Sequence, residues 1–170
     1  MNSIFTRRSV RNFLEKEVED KKIEKILRAA MQAPSAVNQQ PWEFLVVKGK
    51  ENLLRLSKYS PYATSLKNAN VGIIVFGNKE RMMFPDYWQQ DLGAATQNIL
   101  LEATELGLGS VWYGTASDDG KMKYIQDLYK LGDNLLPYSV IGIGYPKSAD
   151  AISFVDRFDE TRIHYAEKNN

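Results

Sequence analysis

The segment 87–106 constrains the fold more than any other part of the chain. Its spacing predicts a long helix that ends at Gly107, a residue suited to the left-handed closing position. One stripe of this helix is apolar and consists of Leu92, Ala95, Ile99, Ala103 and Leu106. A second face is also rather apolar and carries Ala94, Gln97, Leu101 and Thr104. A helix that is apolar on two sides usually lies at the centre of a protein or at a subunit interface.

Shorter apolar segments predict the elements around this helix. The predicted strands are 44–47, 71–77, 110–113 and 138–145, and the predicted helices are 21–33, 53–59 and one from Ser117 or Asp118 to residue 131. We expect Asp20 to cap the first helix and Pro34 to end it. Helices and strands interleave without strict alternation, which favours an α+β fold over a doubly wound parallel sheet.

The chain is predicted to form one domain spanning residues 1–170, because no repeat or linker interrupts it. Its 22 Lys and Arg residues balance 21 Asp and Glu residues, which argues against a nucleic-acid binder. No apolar run approaches the roughly 20 residues of a membrane span, and no signal peptide is evident, so we expect a cytoplasmic protein without a membrane partner. The tail 148–170 lacks periodicity and is predicted to wrap a surface or a partner.

Two residue counts restrict the chemistry. The absence of cysteine excludes disulfides, thiolate metal sites and cysteine nucleophiles, and the single histidine, His164, excludes a multi-histidine metal site within one chain. We therefore predict no metal site and no catalytic side chain. A bound cofactor is expected to carry the chemistry, and His164 is expected to cap or pack in the tail.

Four segments are candidates for binding a ligand. Residues 7–11 hold three arginines and a serine, a set that suits a phosphate but is equally consistent with a solvated cluster. Residues 34–42 place small and amide side chains between two prolines, which suits a planar heterocycle or an ordinary loop. The glycines of 107–114 allow close backbone approach but do not match the dinucleotide fingerprint. Arg157 lies in an acidic stretch, where a surface ion pair is the usual role.

Taken together, these segments resemble the nitroreductase family of FMN-dependent oxidoreductases across nearly the whole chain. Near the start of the chain, the resemblance lies in Arg-Arg-Ser-x-Arg at 7–11 and Pro-Ser-x-x-Asn-x-Gln-Pro-Trp at 34–42. In the middle it lies in Gln-Asp-Leu-Gly-Ala-Ala-Thr-Gln-Asn at 90–98 and Gly-Leu-Gly-Ser at 107–110. Towards the end it lies in Gly-Tyr-Pro at 144–146 and Arg-Phe-Asp-Glu-x-Arg-x-His at 157–164. It implies a nitroreductase-like α+β fold, with a central, mostly antiparallel sheet flanked by helices. It also implies an intertwined homodimer with FMN at the subunit interface and tails that embrace the partner.

The resemblance also implies which residues bind the cofactor. Arg7, Arg8 and Ser9 match the element around the phosphate and ribityl chain, Arg11 matches a position near the pyrimidine edge, and Arg157 matches the arginine that clamps the phosphate. Pro34, Ser35, Ala36, Asn38 and Gln40 match a loop that the other subunit contributes. Tyr113 and Gly114 match a site where backbone N–H groups meet the flavin.

The implied activity is a two-step cycle in which NADH or NADPH gives a hydride to flavin N5 and an oxidant then takes it. Nitroaromatics, quinones and free flavins are the candidate acceptors. The alternatives are an FMN-storing or FMN-sensing protein, and a flavin-cleaving or dehalogenating relative. The segment 79–87 leaves little room for a long lid, so the pocket is open or is built from Tyr62, Met82, Met83, Phe84 and Trp88, residues that plain packing also explains. Lys67 or Asn68 is a candidate for a further polar contact.

Overall fold

A four-stranded antiparallel sheet forms the centre of the computed structural model, which describes residues 2–166. The strands are β1 (Trp42–Lys48), β2 (Val71–Asn78), β3 (Gly109–Gly114) and β4 (Leu135–Gly144). They lie in the order β1-β2-β4-β3, and each neighbouring pair is antiparallel. The predicted α+β fold with a mostly antiparallel sheet is thereby confirmed.

The helices are α1 (Ser3–Thr6), α2 (Asp20–Ala30), α3 (Lys50–Ser57), α4 (Trp88–Glu105) and α5 (Asp119–Tyr129). The longest 3₁₀ segment is Pro61–Asn68, which the sequence analysis missed. Asp118 caps α5 by accepting a hydrogen bond from the Lys121 backbone N–H at 3.0 Å. The structure thus selects Asp118 over Ser117 as the residue that opens this helix.

Some predicted boundaries were wrong. Asp20 does not cap α2, because it is the first helical residue and its carboxylate pairs with Lys48. The same helix ends at Ala30 and not at residue 33, since the backbone N–H groups of Gln32 and Ala33 reach back only three residues. Strand β4 begins at Leu135 and not at residue 138, because the register shift between Val75 and Phe76 of β2 accommodates a proline at 137.

Both faces of the sheet are covered, and β2 shows it most clearly. Its residues are buried at every position, with Ile73 and Val75 in one core cluster and Ile74 and Phe76 in the other. The first cluster contains α2 and α4, and the second contains α3, the Pro61–Asn68 segment and α5. The near-continuous apolar run of β2 therefore reflects a strand between two layers.

Helix α4 buries the predicted stripe. Leu92, Ala95, Ile99 and Ala103 are all fully buried in the first core cluster, and Gly107 adopts the left-handed conformation at φ 74°. On the second face Thr104 is buried, Ala94 and Leu101 are half-buried, and Gln97 is exposed. The second face is therefore only partly covered within one chain.

The tail forms only short 3₁₀ turns between residues 148 and 166, and residues 167–170 of the predicted tail lie outside the described part. It exposes a series of large apolar side chains, namely Phe154, Val155, Phe158, Ile163 and Tyr165. The Phe154 ring lies 6.2 Å from that of Phe5, so the tail returns to the beginning of the chain. Between residues 2 and 166, helices with the length and apolar character needed to cross a membrane are absent.

Candidate functional site

The segment 7–11 runs along the edge strand β3. Ser9 forms a parallel bridge with Ser110, and the Val10 backbone N–H donates to the Ser110 carbonyl oxygen at 2.9 Å. This close approach requires glycine at position 109, because a Cβ atom there would lie 2.7 Å from Cβ of Val10. The arginines of the segment are therefore fixed relative to the sheet.

Three guanidinium groups come together at one end of this segment. Partial burial lowers the pKa of Arg7, and the positive charges of Arg8 and Arg157 lower it further. Arg8 donates to the carbonyl oxygens of Arg7 at 2.5 Å and Phe5 at 3.2 Å, while its buried Nε has no hydrogen-bond partner among the described residues. In the described part of the chain, the arginines that pair with carboxylates are Arg28, Arg81 and Arg162. The Arg7, Arg8 and Arg157 cluster thus lacks a counter-charge, a condition that suits a bound anion.

The acidic neighbours of Arg157 form contacts with other groups. Asp156 accepts a hydrogen bond from the Phe158 backbone N–H at 3.0 Å, and Asp159 pairs with Arg162 at 2.9 Å. Contacts of the Asp159 carboxylate with Thr161 lower its pKa, as does its hydrogen bond to Arg162. The local surface ion pair that the sequence allowed for Arg157 is therefore not formed.

Tyr113 and Ser65 are in contact farther along β3, where the charge of Arg11 also acts on Tyr113. The Tyr113 hydroxyl lies 2.5 Å from the Ser65 hydroxyl, and Tyr113 is buried whereas Arg11 is exposed. Burial raises the pKa of Tyr113, against the opposing effects of the Ser65 hydrogen bond and the Arg11 charge. Gly114 ends the strand and is exposed. Sequence reasoning missed Ser65, which lies in a 3₁₀ segment that no periodic pattern marks.

The loop 34–40 is strained. Val37, Asn38 and Gln40 have positive φ values of 45°, 58° and 47°, although none of them is glycine. A left-handed conformation costs an L-residue about 1–2 kcal/mol, and a β-branched residue such as Val37 adopts it rarely. Ser35 accepts from the Gln40 backbone N–H at 3.0 Å, and Asn38 accepts from the Gln40 side-chain amide at 3.0 Å. Strain of this kind tends to occur at functional sites.

Two buried side chains that sequence reasoning did not select hold this loop. Asp91 of α4 accepts from the Ala36 backbone N–H at 2.9 Å and from the Gln39 side-chain amide at 2.6 Å. Asp91 is 5% exposed and Gln39 is 7% exposed. A sequence signal existed for Asp91, since it lies four residues before Ala95 on the buried stripe, where a charged residue needs a partner.

The predicted site residues fall into two groups. Arg7, Arg8, Ser9, Arg11, Tyr113, Gly114 and Arg157 lie along or beside β3. Pro34, Ser35, Ala36, Asn38 and Gln40 lie before β1, at the opposite edge of the sheet. In residues 2–166 no hydrogen bond or ion pair joins the groups, and three strand spacings put the two edges about 14 Å apart.

The other candidate contacts lie away from the arginine cluster. Lys67 and Asn68 line a cleft of about 480 Å³ together with Asn12 and Lys147. Met82 and Trp88 line a cavity of about 820 Å³ with Pro85 and Leu136, and Met83 and Phe84 are exposed beside it. Tyr62 is 83% exposed on the Pro61–Asn68 segment and does not join that group.

Comparison with known proteins identifies the class of oxidoreductases to which this fold and site correspond. The Nitroreductase family model matches residues 4–70 and 57–145. A protein of Archaeoglobus fulgidus, provisionally named NADH dehydrogenase/NAD(P)H nitroreductase, is 43% identical over 166 residues, which cover 96% of this chain and 95% of that protein. The chain belongs to the Nitroreductase family.

Solved structures agree with this assignment. A Clostridium acetobutylicum protein, provisionally named NADH oxidase, is 48% identical with a TM-score of 0.94 over 97% of this chain and 99% of that one. A Desulfovibrio desulfuricans protein, provisionally named nitroreductase and solved in complex with FMN, is 30% identical with a TM-score of 0.82, covering 97% of this chain and 95% of that one. The resemblance seen in the sequence is thereby confirmed.

Proposed function

We propose that this protein is an FMN-dependent oxidoreductase that uses NADH or NADPH, formed by one domain per chain and active as a homodimer. The observation that carries the proposal is the Arg7, Arg8 and Arg157 cluster, which brings together residues from early and late in the chain and has no carboxylate paired with it within residues 2–166. Its buried, unpartnered Arg8 Nε fits an acceptor oxygen such as that of a phosphate.

Each residue along β3 has a role in this proposal. Arg7, Arg8 and Arg157 would hold the phosphate, and Ser9 would hydrogen-bond the phosphate or the ribityl chain. Arg11 would bring positive charge to the pyrimidine edge, where it stabilises negative charge. Tyr113 and Gly114 would border the ring, and Gly114 would present its backbone N–H to it, because the Tyr113 N–H points toward β4, where Tyr113 pairs with Val140. These roles are supported by the positions of the residues along or beside the edge strand β3.

The loop 34–40 supports a dimeric site. Pro34, Ser35, Ala36, Asn38 and Gln40 lie at the opposite sheet edge from the arginines, so we infer that each loop serves the cofactor held by the partner subunit. The half-covered second face of α4 and the apolar tail are the surfaces that a partner would bury. Small and amide groups of the loop would pack on the ring and hydrogen-bond to its polar edge.

Bound FMN would supply the redox chemistry, taking a hydride from NADH or NADPH and passing it to a nitroaromatic, quinone or flavin acceptor. The chain itself would bind and orient the reactants. It would also exclude water with the loop 34–40 and the apolar side chains Met83 and Phe84.

Two measurements on the purified protein test this function. Cofactor released by heat should coelute with FMN in chromatography, and steady-state oxidation of NADH or NADPH should depend on added menadione or a nitroaromatic. FAD or no flavin would contradict the cofactor assignment. A yellow protein without turnover would favour FMN storage or sensing.

A further inference from the structure

Gln39 links three separate parts of the chain through its side-chain amide. Its Nε2 donates to the Asp91 carboxylate at 2.6 Å and to the Phe84 carbonyl oxygen at 3.2 Å. Its Oε1 accepts from the Phe84 backbone N–H at 2.9 Å. The amide therefore pairs both backbone groups of Phe84 while it binds α4. Its neighbours Asn38 and Gln40 are exposed, so Gln39 is the residue of the loop that turns inward.

Asp91 is a buried carboxylate held by hydrogen bonds alone. In the described residues it forms no ion pair, and its two oxygens accept from Ala36 and Gln39. It lies in the first turn of α4, an 18-residue helix, where the helix dipole stabilises negative charge. This location explains how a carboxylate can be buried there without a basic partner.

The bonds of Gln39 and Asp91 fix the strained part of the loop from both sides. Ala36 precedes the left-handed residues Val37 and Asn38, and Gln39 lies between Asn38 and the left-handed Gln40. A strained backbone persists only where its surroundings over-determine it. Without this pair, the loop would relax toward ordinary backbone conformations and carry Asn38 and Gln40 with it.

We propose that Gln39 and Asp91 are positioning residues that hold the loop 34–40 in the geometry required for cofactor binding and tie it to the Phe84 segment. The proposal rests on the proposed function, because it concerns the same cofactor. Neither residue needs to touch the cofactor, since both are buried beneath the loop. Because Gln39 bonds to both backbone groups of Phe84, the Phe84 segment would be held beside the loop and would border the same site.

Exchange of the two functional groups tests the proposal. Gln39→Ala removes the amide, and Asp91→Asn places an NH₂ group against either the Gln39 amide or the Ala36 N–H. In the double exchange Gln39→Glu/Asp91→Asn, the amide introduced at position 91 can donate to the carboxylate introduced at position 39. That carboxylate can also accept from the Phe84 N–H, but it cannot donate to the Phe84 carbonyl oxygen, which then faces a carboxylate oxygen. Gln126→Ala is a matched control, because Gln126 also donates to a backbone carbonyl, that of Leu135, at 3.0 Å.

FMN affinity is measured by fluorescence quenching, together with the visible spectrum of the bound flavin and the thermal midpoint of the apoprotein. We expect each single variant to bind FMN about 10- to 100-fold more weakly and to alter the flavin spectrum, and the double exchange to recover part of the affinity. Gln126→Ala should leave affinity and spectrum unchanged.

The possible failures are distinguishable. Wild-type affinity in both single variants would overturn the positioning role and leave the proposed function intact. The proposal would also be overturned if FMN affinity fell only in proportion to the thermal midpoint of the apoprotein and did not recover in the double exchange. The pair would then have a purely structural role. If the wild-type protein itself bound no FMN, the proposed function would fail and the positioning role with it.

Discussion

The guanidinium group of Arg157 lies close enough to that of Arg7 for its charge to lower the pKa of Arg7, although the two residues belong to opposite ends of the chain. Repulsion between these groups opposes folding unless an anion offsets it. The tail reaches this position with Phe154 packed near Phe5. An anion bound at this site would therefore stabilise the tail in its folded position.

The first prediction concerns this coupling. Added FMN should raise the thermal midpoint of the apoprotein, because a ligand at about 100 times its Kd stabilises the folded state by about 2.7 kcal/mol. For a chain of this size that corresponds to a shift of about 5–10 °C. Differential scanning calorimetry measures the shift. The variant Arg7→Ala/Arg157→Ala is the control and should lose most of this FMN-induced shift. An equal shift in the variant would show that the arginine cluster does not bind FMN.

A second prediction concerns the contact between Gly109 and Val10. Gly109→Ala places a Cβ atom 2.7 Å from Cβ of Val10, so the segment 7–11 must move away from β3. We expect a loss of stability of about 1–3 kcal/mol and weaker FMN binding. Gly107→Ala is the control, because position 107 has open space but a positive φ of 74°. It should lower stability without changing FMN affinity; equal effects on affinity would contradict the role of the β3 contact.

The pH dependence of stability provides a third prediction, at the start of α5. Hydrogen bonds from the Lys121 side chain and backbone hold the pKa of Asp118 below its usual value. Because the folded pKa lies below the unfolded one, the stabilisation is complete above about pH 4 and is lost as pH falls through the folded pKa. Asp118→Asn keeps a cap acceptor but lacks the charge. Urea unfolding should therefore show the variant less stable near neutral pH and the difference shrinking in acid; a constant difference would contradict this cause.

The oligomeric state is the subject of a fourth prediction. Light scattering should give twice the chain mass of 19.4 kDa for the flavin-bound protein. The physical reason is that the second face of α4 and the tail side chains Phe158 and Tyr165 remain open in one chain. A monomer that retains FMN would contradict the assignment of the loop 34–40 to the partner's cofactor.

Elements with a strong pattern were predictable from the sequence. The buried run of β2 and the apolar stripe of α4 determined the main layers, because periodicity reports which faces are covered. The ends of α2 and β4 were misplaced, since tight turns after Ala30 and a register shift opposite residue 137 leave little trace in composition. Boundaries depend on local bonding more than on burial.

The site was predictable only in part. Local spacing at 7–11 suggested an anion site, but the approach of Arg157 came from family resemblance, because an aperiodic tail carries no signal for its path. The left-handed Val37 and the buried Gln39 had no local signal either, since both depend on Asp91 from a distant helix. Such tertiary bonds are invisible to single-sequence patterns.

The most direct test of the central claim compares FMN with riboflavin, which lacks the phosphate, in Arg157→Ala. A charge-assisted hydrogen bond to the phosphate contributes about 1.5–3 kcal/mol, so FMN affinity should fall about 10- to 150-fold. Titration calorimetry should show riboflavin affinity nearly unchanged and the apoprotein still folded. Equal losses for both ligands would place Arg157 away from the phosphate, and no loss for either would return it to the surface and contradict the proposed cofactor site.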